Sequence, residues 1–277
     1  MKKYSYLFIL FILFSICTIC TNSFAFSIRI NEPKISLSVP AGGAKSATIS
    51  VDNLTDEMIS VRAYADDWHY AKQGDGTKEF FPRGTTDFSC SNWITTYPAE
   101  FELPPYGHKE VQFTIRVPQD AKGGYYSVIF FESGLGTAQT PEGVSVAVAG
   151  RLGSLIYLGV EGTVNKLAAV ESLTISRKDK NSPAQINFIF VNTGNIDITA
   201  KGTYNIIDDK GMVYARGQVP DIYTTQGNEV NVNANFSSDL PSGNYDFILT
   251  LDLGADSSIT EERRIQVKDS GLVQTLE

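Results

Sequence analysis

The sequence predicts an all-β protein built from two sandwich domains in tandem. Three observations carry that prediction. Strand-length segments alternate apolar and polar residues with period 2, as in Val111, Phe113, Ile115 and Val117 against Gln112, Thr114 and Arg116. Turns rich in proline and glycine recur about every 8 to 12 residues, the spacing expected of sandwiches. No segment carries the apolar stripe of an amphipathic helix.

The chain opens with a leader. Lys2 and Lys3 precede an apolar run from Tyr4 to Ile19, and Ser23-Phe24-Ala25 offers a small-x-small cleavage site. This is the pattern of a signal peptide over residues 1–25, cut before Phe26. The run is short for a membrane span of about 20 residues. Ile16 and Ile19 precede Cys17 and Cys20, where lipid attachment would want a small residue. The expectation is export to the periplasm or cell surface, with no membrane insertion after cleavage.

The first sandwich is expected over residues 26–162. Ile28 to Val39 begins it, and Ala41-Gly42-Gly43 turns into Ser46 to Asp52. After the turn at Asn53 to Asp56 comes Met58 to Trp68, then a hairpin tip at Gln73-Gly74-Asp75-Gly76-Thr77. Trp93 to Glu132 reads as three short strands, separated by Pro104-Pro105-Tyr106-Gly107 and by Pro118 through Gly124. Gly134 to Gly143 reads as a glycine-containing loop. Val144 to Val160 closes the domain as a long strand, with Val144, Val146, Val148, Leu152, Ile156, Leu158 and Val160 on one face.

Glu161 to Asn165 is the expected linker. A second sandwich over residues 166–268 repeats the plan loosely. Ala184 to Val191 ends in an Asn192-Thr193-Gly194-Asn195 turn, and Leu240-Pro241-Ser242-Gly243-Asn244-Tyr245 echoes the earlier proline-glycine-tyrosine element. Ile265 to Lys268 reads as the last strand and residues 269–277 as a tail.

Composition excludes several function classes. The formal charge is −8, and about −10 without Lys2 and Lys3, so nucleic acid is not an expected partner. Only Cys90 remains after the leader, which leaves no intramolecular disulfide; beside Trp93 it reads as a small buried hydrophobe. The two histidines are His69 and His108. Asp67 and His69 can share a strand face, but two ligands do not make a metal site. There is no Gly-x-Ser-x-Gly elbow and no phosphate-binding glycine loop. No enzyme, cofactor or metal is expected.

The first domain resembles the N-terminal immunoglobulin-like domain of the PapD-like periplasmic chaperones of pilus assembly. The resemblance rests on Ile35 to Val39 with Ala47 to Val51 and Asn53; on Trp93-Ile94 to Pro98, Phe101-Glu102-Leu103-Pro104 and Gly107; and on Val144 to Leu158 with Arg151-Leu152 and Ile156-Tyr157. A similar strand-Pro-Gly-Tyr element occurs in surface proteins that interact with WxL proteins. The first resemblance implies two immunoglobulin-like sandwiches and a chaperone of exported, pilin-like subunits. Such a chaperone lends its closing strand to an incomplete partner sandwich. The donor would be Val144, Val146 and Val148, continuing to Leu152. The family anchors the subunit's terminal carboxylate with two basic residues. Lys34 matches the first. Gly153 stands where a second lysine is expected; Arg151, two residues earlier on the same side, is either its substitute, since a guanidinium pairs well with a carboxylate, or a solvated sheet-edge charge. A structural or adhesive surface module is the alternative, with the loops such as Gly134 to Gly143 carrying recognition.

Overall fold

The computed structural model describes residues 28–140, 142–237 and 239–276. The signal peptide expected over residues 1–25 lies outside the described residues. Strands account for nearly all regular structure. They are β1 (Ile28–Ile30), β2 (Lys34–Val39), β3 (Ala44–Asn53), β4 (Ile59–Tyr70), β5 (Lys78–Phe81), β6 (Ile94–Tyr97), β7 (Glu100–Leu103), β8 (His108–Arg116), β9 (Gly124–Gln139) and β10 (Ser145–Val160). In the second half follow β11 (Ala168–Ser176), β12 (Ala184–Asn192), β13 (Ile198–Asp208), β14 (Val213–Thr224), β15 (Glu229–Phe236), β16 (Gly243–Gly254), β17 (Ser257–Val267) and β18 (Val273–Thr275).

Two immunoglobulin-like sandwiches stand in tandem. In the first, the sheet β1-β3-β8-β6 packs on the sheet β2-β10-β9-β4-β5, whose β4 also pairs with β7. In the second, β11-β12-β15 packs on β14-β13-β16-β17-β18. Each encloses its own apolar core. Ile49, Val51, Val111, Phe113, Ile115, Ile129, Phe131, Ile156 and Leu158 belong to the first, while Ile186, Phe190, Ile206, Phe247, Leu249 and Ile265 belong to the second. The alternation of β8 is realised in full: Val111, Phe113 and Ile115 are buried.

Strand β9 breaks the alternation because it is buried on both faces. Ile129 and Phe131 enter the first core, whereas Tyr126, Val128 and Phe130 join Trp68, Tyr70 and Tyr157 in an aromatic layer on the outer face of the sheet. Central strands covered on both sides read as near-continuous apolar runs, as Tyr125 to Phe131 does apart from Ser127. Trp68 meets Tyr70, Tyr126 and Tyr157 edge-on at 5.2, 5.4 and 4.8 Å between ring centroids.

The second domain caps this layer. Tyr126 Oη accepts the Asp197 N–H at 2.5 Å and donates to Gln226 Oε1 at 2.8 Å, and Gln226 Nε2 donates to the Gly124 carbonyl at 2.8 Å. A second strap is the β4–β5 hairpin, whose Gly74 carbonyl accepts the Tyr223 N–H at 2.9 Å. Gly74 has φ +69°, and a Cβ there would lie 2.3 Å from the Val230 side chain, so only glycine fits this approach.

Three expectations need correction. Trp93 to Glu132 holds four strands rather than three, because Pro98 and Ala99 separate β6 from β7. The segment 134–139 is not loop but the end of β9, paired with 145–149 of β10, and among the described residues only 140 and 142–144 lie between the two strands. The Gly136 and Gly134 pairings with Val148 and Ala149 absorb one extra residue as a β-bulge, which is where the glycines are used. Residues 269–277 are not simply a tail: β18 pairs with β17, and Val273 fills the second core.

Candidate functional site

The long closing strand is half paired. On one side β10 meets β9 along its whole length, from Ser145↔Gln139 to Gly159↔Gly124. On the other side β2 pairs in parallel, but only from Leu155↔Lys34 to Val160↔Val39. The cause is local. The chain runs as β1 in the opposite sheet and crosses at Asn31-Glu32-Pro33 before it can join β10. Residues 145–153 of β10 therefore have an open edge among the described residues, and Ser154, buried with its hydroxyl donating to the Glu32 carbonyl, ends it.

The direction of the free backbone groups follows from the pairing. Leu155 N–H donates to Pro33 O and Glu161 N–H to Val39 O, on the β2 side, while Val160 N–H donates to Gly123 O on the β9 side. Backbone groups alternate sides along a strand. Ser145, Ala147, Ala149 and Arg151 thus direct N–H and C=O to the open edge.

The side chains of this arm are apolar and uncovered. Val144 is 58% exposed and Val146 45%. Val148 is half-buried, and Leu152 is partly buried against the first core. The same face becomes core at Ile156 and Leu158. Long, flat, apolar edges are normally blunted by charge or proline, because they invite another strand. Before Arg151 this edge carries neither.

Lys34 and Arg151 share the aromatic face of the sheet but are not brought together. The parallel partner of Lys34 is Leu155, and Arg151 lies four residues earlier, about 13 Å along the strand. Arg151 stacks 4.0 Å over the Phe130 ring, reaches Tyr64 Oη at 3.4 Å and lies 3.8 Å from Asp66. Gly153 has a steric reason: a Cβ there would sit 2.7 Å from Val128 Cγ2 and 3.0 Å from the Phe130 ring. A lysine there would have to displace the Val128 and Phe130 side chains.

The cation beside Lys34 is instead Lys78, on β5. Lys34 Nζ lies 4.2 Å over the Tyr157 ring and Lys78 Nζ 5.3 Å over the Tyr70 ring, and the two tyrosine hydroxyls are 3.0 Å apart. Burial and the Lys34 ammonium push the Lys78 pKa down. Among the described residues neither lysine makes an ion pair. Sequence spacing concealed this pairing, since Lys78 lies 44 positions from Lys34. The only hint was its place next to a glycine-rich hairpin tip.

The remaining polar candidates serve the scaffold. Asp67 is fully buried and accepts the Thr85 and Thr86 N–H groups at 2.8 and 3.0 Å and Ser89 Oγ at 2.6 Å. Burial would raise its pKa, but these hydrogen bonds outweigh burial and hold it below the ordinary value. His69 stacks on Phe81 at 4.4 Å and donates from Nδ1 to the Tyr70 carbonyl. His108 is exposed at the start of β8. Cys90 is buried beside Ser127, and burial pushes its thiol up to about 12.

No protein-family model matches this sequence, and no curated protein matches it. Solved structures do share its fold. A chain from a chaperone–tip adhesin complex vital for CFA/I fimbriae biogenesis superposes with a TM-score of 0.51 at 15% identity, covering 86% of this chain and 98% of that one. The class 5 fimbriae chaperone CfaA gives 0.46 at 18% identity, over 85% and 98%. A Salmonella enterica SafA pilin–SafB chaperone complex gives 0.42 at 11%, over 86% and 96%. What the first of these shows is a shared tandem-sandwich fold.

Proposed function

We propose that this chain is an exported, non-enzymatic chaperone for pilus or surface-fibre subunits, and that it acts by lending the open edge of β10. The observation that carries the reading is that edge: residues 145–153 lack a second paired strand while Val144 and Val146 stand exposed. A partner sandwich missing one strand would pair with the backbone of Ser145, Ala147, Ala149 and Arg151. Val144, Val146 and Val148 would fill its groove, with Leu152 at the body of the domain. Backbone pairing gives affinity, and the alternate side chains give register. The fold shared with solved fimbrial chaperones supports the same reading.

The lysine pair selects the direction of the incoming strand. An added strand on this edge runs toward the point where β2 begins, at Lys34. A parallel strand would bring its terminal carboxylate there, between Lys34 and Lys78. An antiparallel strand would bring an ammonium against two ammoniums, which is repulsive. Lys34 and Lys78 are thus assigned as the anchor, and Arg151 as a brace of the sheet edge.

The test is binding of a synthetic peptide alternating isoleucine and threonine and ending in a free carboxylate. Val146→Asp is expected to lose the peptide while remaining folded, because an ionised carboxylate does not enter an apolar groove unpaired. Its exposed site limits the cost to its own stability to about 0.5 kcal/mol. Undiminished binding by Val146→Asp would sink the strand-lending mechanism.

A further inference from the structure

We propose that Asp197 is a built-in counter-ion of the Lys34–Lys78 site, so that the charge on this second-domain carboxylate sets how tightly a first-domain site holds an anion. The proposal rests on the strand-lending reading only for the identity of that anion, a terminal carboxylate.

The groups form one continuous cluster. Asp197 precedes β13, and its Oδ1 lies 3.3 Å from Tyr126 Oη, the hydroxyl that also accepts the Asp197 N–H. The Tyr126 ring meets Tyr157 edge-on at 6.1 Å. Lys34 lies over Tyr157, Lys78 lies over Tyr70, and Tyr70 and Tyr157 are joined through their hydroxyls. A floor of tyrosines thus links two lysines of one domain to a carboxylate of the other.

Charged and titratable groups reach this floor from every element around it. They are Lys34 on β2, Tyr70 on β4, Asp75 on the hairpin tip, Lys78 on β5, Tyr126 on β9, Tyr157 on β10, Lys166 just ahead of β11 and Tyr223 on β14. Burial holds Tyr70, Tyr126 and Tyr157 above the ordinary tyrosine value, so these hydroxyls stay neutral. The field is left to three ammoniums and two carboxylates, Asp197 and Asp75 on the hairpin tip; the Thr77 N–H holds Asp75 below the ordinary carboxylate range, so it stays charged while Asp197 titrates. Burial raises the Asp197 pKa, while Lys166 and Lys34 pull it back.

No ion pair within 4 Å joins Asp197 to Lys34 or Lys78 among the described residues. Asp197 therefore offsets their charge through space; Lys78 Nζ uses one donor on the Gly76 carbonyl at 2.7 Å, and its remaining donors and those of Lys34 are open to a ligand. Removing one negative charge strengthens anion binding, by about five- to tenfold for a charge about 12–17 Å from the anion at an effective dielectric constant near 20. The coupling is reciprocal, so a bound anion raises the Asp197 pKa further.

Sulfate is a suitable probe because it stays charged well below the carboxylate range. The side-chain Cε signals of Lys34 and Lys78 would be followed by NMR in the full chain, comparing wild type with Asp197→Asn. The expected result at neutral pH is sulfate binding about five- to tenfold tighter in Asp197→Asn. Wild-type affinity should rise toward the variant's as the pH is lowered through the Asp197 titration, and the variant's should stay flat. Equal affinities, a flat wild-type profile, or no sulfate response at either lysine would overturn the proposal. If Asp197→Asn fails to fold, the wild-type profile decides alone. If sulfate behaves as stated but peptides with free and amidated C-termini bind alike, Asp197 stands as counter-ion and the carboxylate anchor falls.

Discussion

Tyr126→Phe removes one oxygen from the domain boundary and leaves the ring. The ring contacts with Trp68 at 5.4 Å and Tyr157 at 6.1 Å are retained, so packing changes little. What is lost is the hydroxyl between the domains. It accepts the Asp197 N–H at 2.5 Å and donates to Gln226 Oε1 at 2.8 Å. Gln226 is only 6% exposed, so its oxygen has little access to water once the hydroxyl is gone. A buried polar group left without a partner costs about 1–3 kcal/mol. Asp197 is only partly buried and can recover some solvation, so the expected loss is about 2–3 kcal/mol in total. For a chain of this size that corresponds to a fall of roughly 4–12 °C in Tm when the domains unfold together. Urea denaturation followed by Trp68 fluorescence reads the boundary directly, since Trp68 packs on Tyr126. A loss below about 0.5 kcal/mol, the range of an inconsequential surface change, would refute the claim that this hydroxyl ties the domains.

Two further perturbations probe the scaffold. Gly153→Lys is expected to destabilise the first domain by about 1–3 kcal/mol through overpacking against Val128 and Phe130; a neutral result by thermal denaturation would mean that the strand has room for a second basic residue. Asp67→Asn is expected to weaken the loop at Thr85 to Ser89 and to flatten the acid limb of stability. The Asp67 pKa is depressed on folding, so its contribution is present above the ordinary value of 3.8 and is lost as pH falls through the folded value. An unchanged acid limb in Asp67→Asn would remove Asp67 from that role.

Much of the fold was legible because the first domain obeys period 2 with punctuated turns. Val111, Phe113 and Ile115, and then Ile156, Leu158 and Val160, face the core that their alternation assigns. The places where local pattern misled share a cause. Gly134 and Gly136 suggested a loop, yet they accommodate a bulge in a paired strand. The aromatic layer could not be seen in one strand at a time, because Trp68, Tyr126 and Tyr157 come from three strands and are covered by the second domain. Of the candidate site, the apolar arm from Val144 to Val148 followed from alternation, but its open edge depends on where β2 leaves the sheet. Arg151 was a reasonable partner for Lys34 by spacing along β10. The competing contacts from Phe130, Tyr64 and Asp66, and the approach of Lys78 from another strand, are long-range facts.

The most direct measurement is residue-resolved amide hydrogen exchange along β10, with and without the carboxylate-ended strand peptide. Without it, the N–H groups of Ala147, Ala149 and Arg151 should exchange quickly and those of Val146, Val148 and Leu152, directed at β9, more slowly. With it, the three fast amides should become protected while their neighbours change little. Protection of the odd-numbered amides before any peptide is added, or their failure to gain protection in its presence, would contradict an open edge that lends itself to a partner strand.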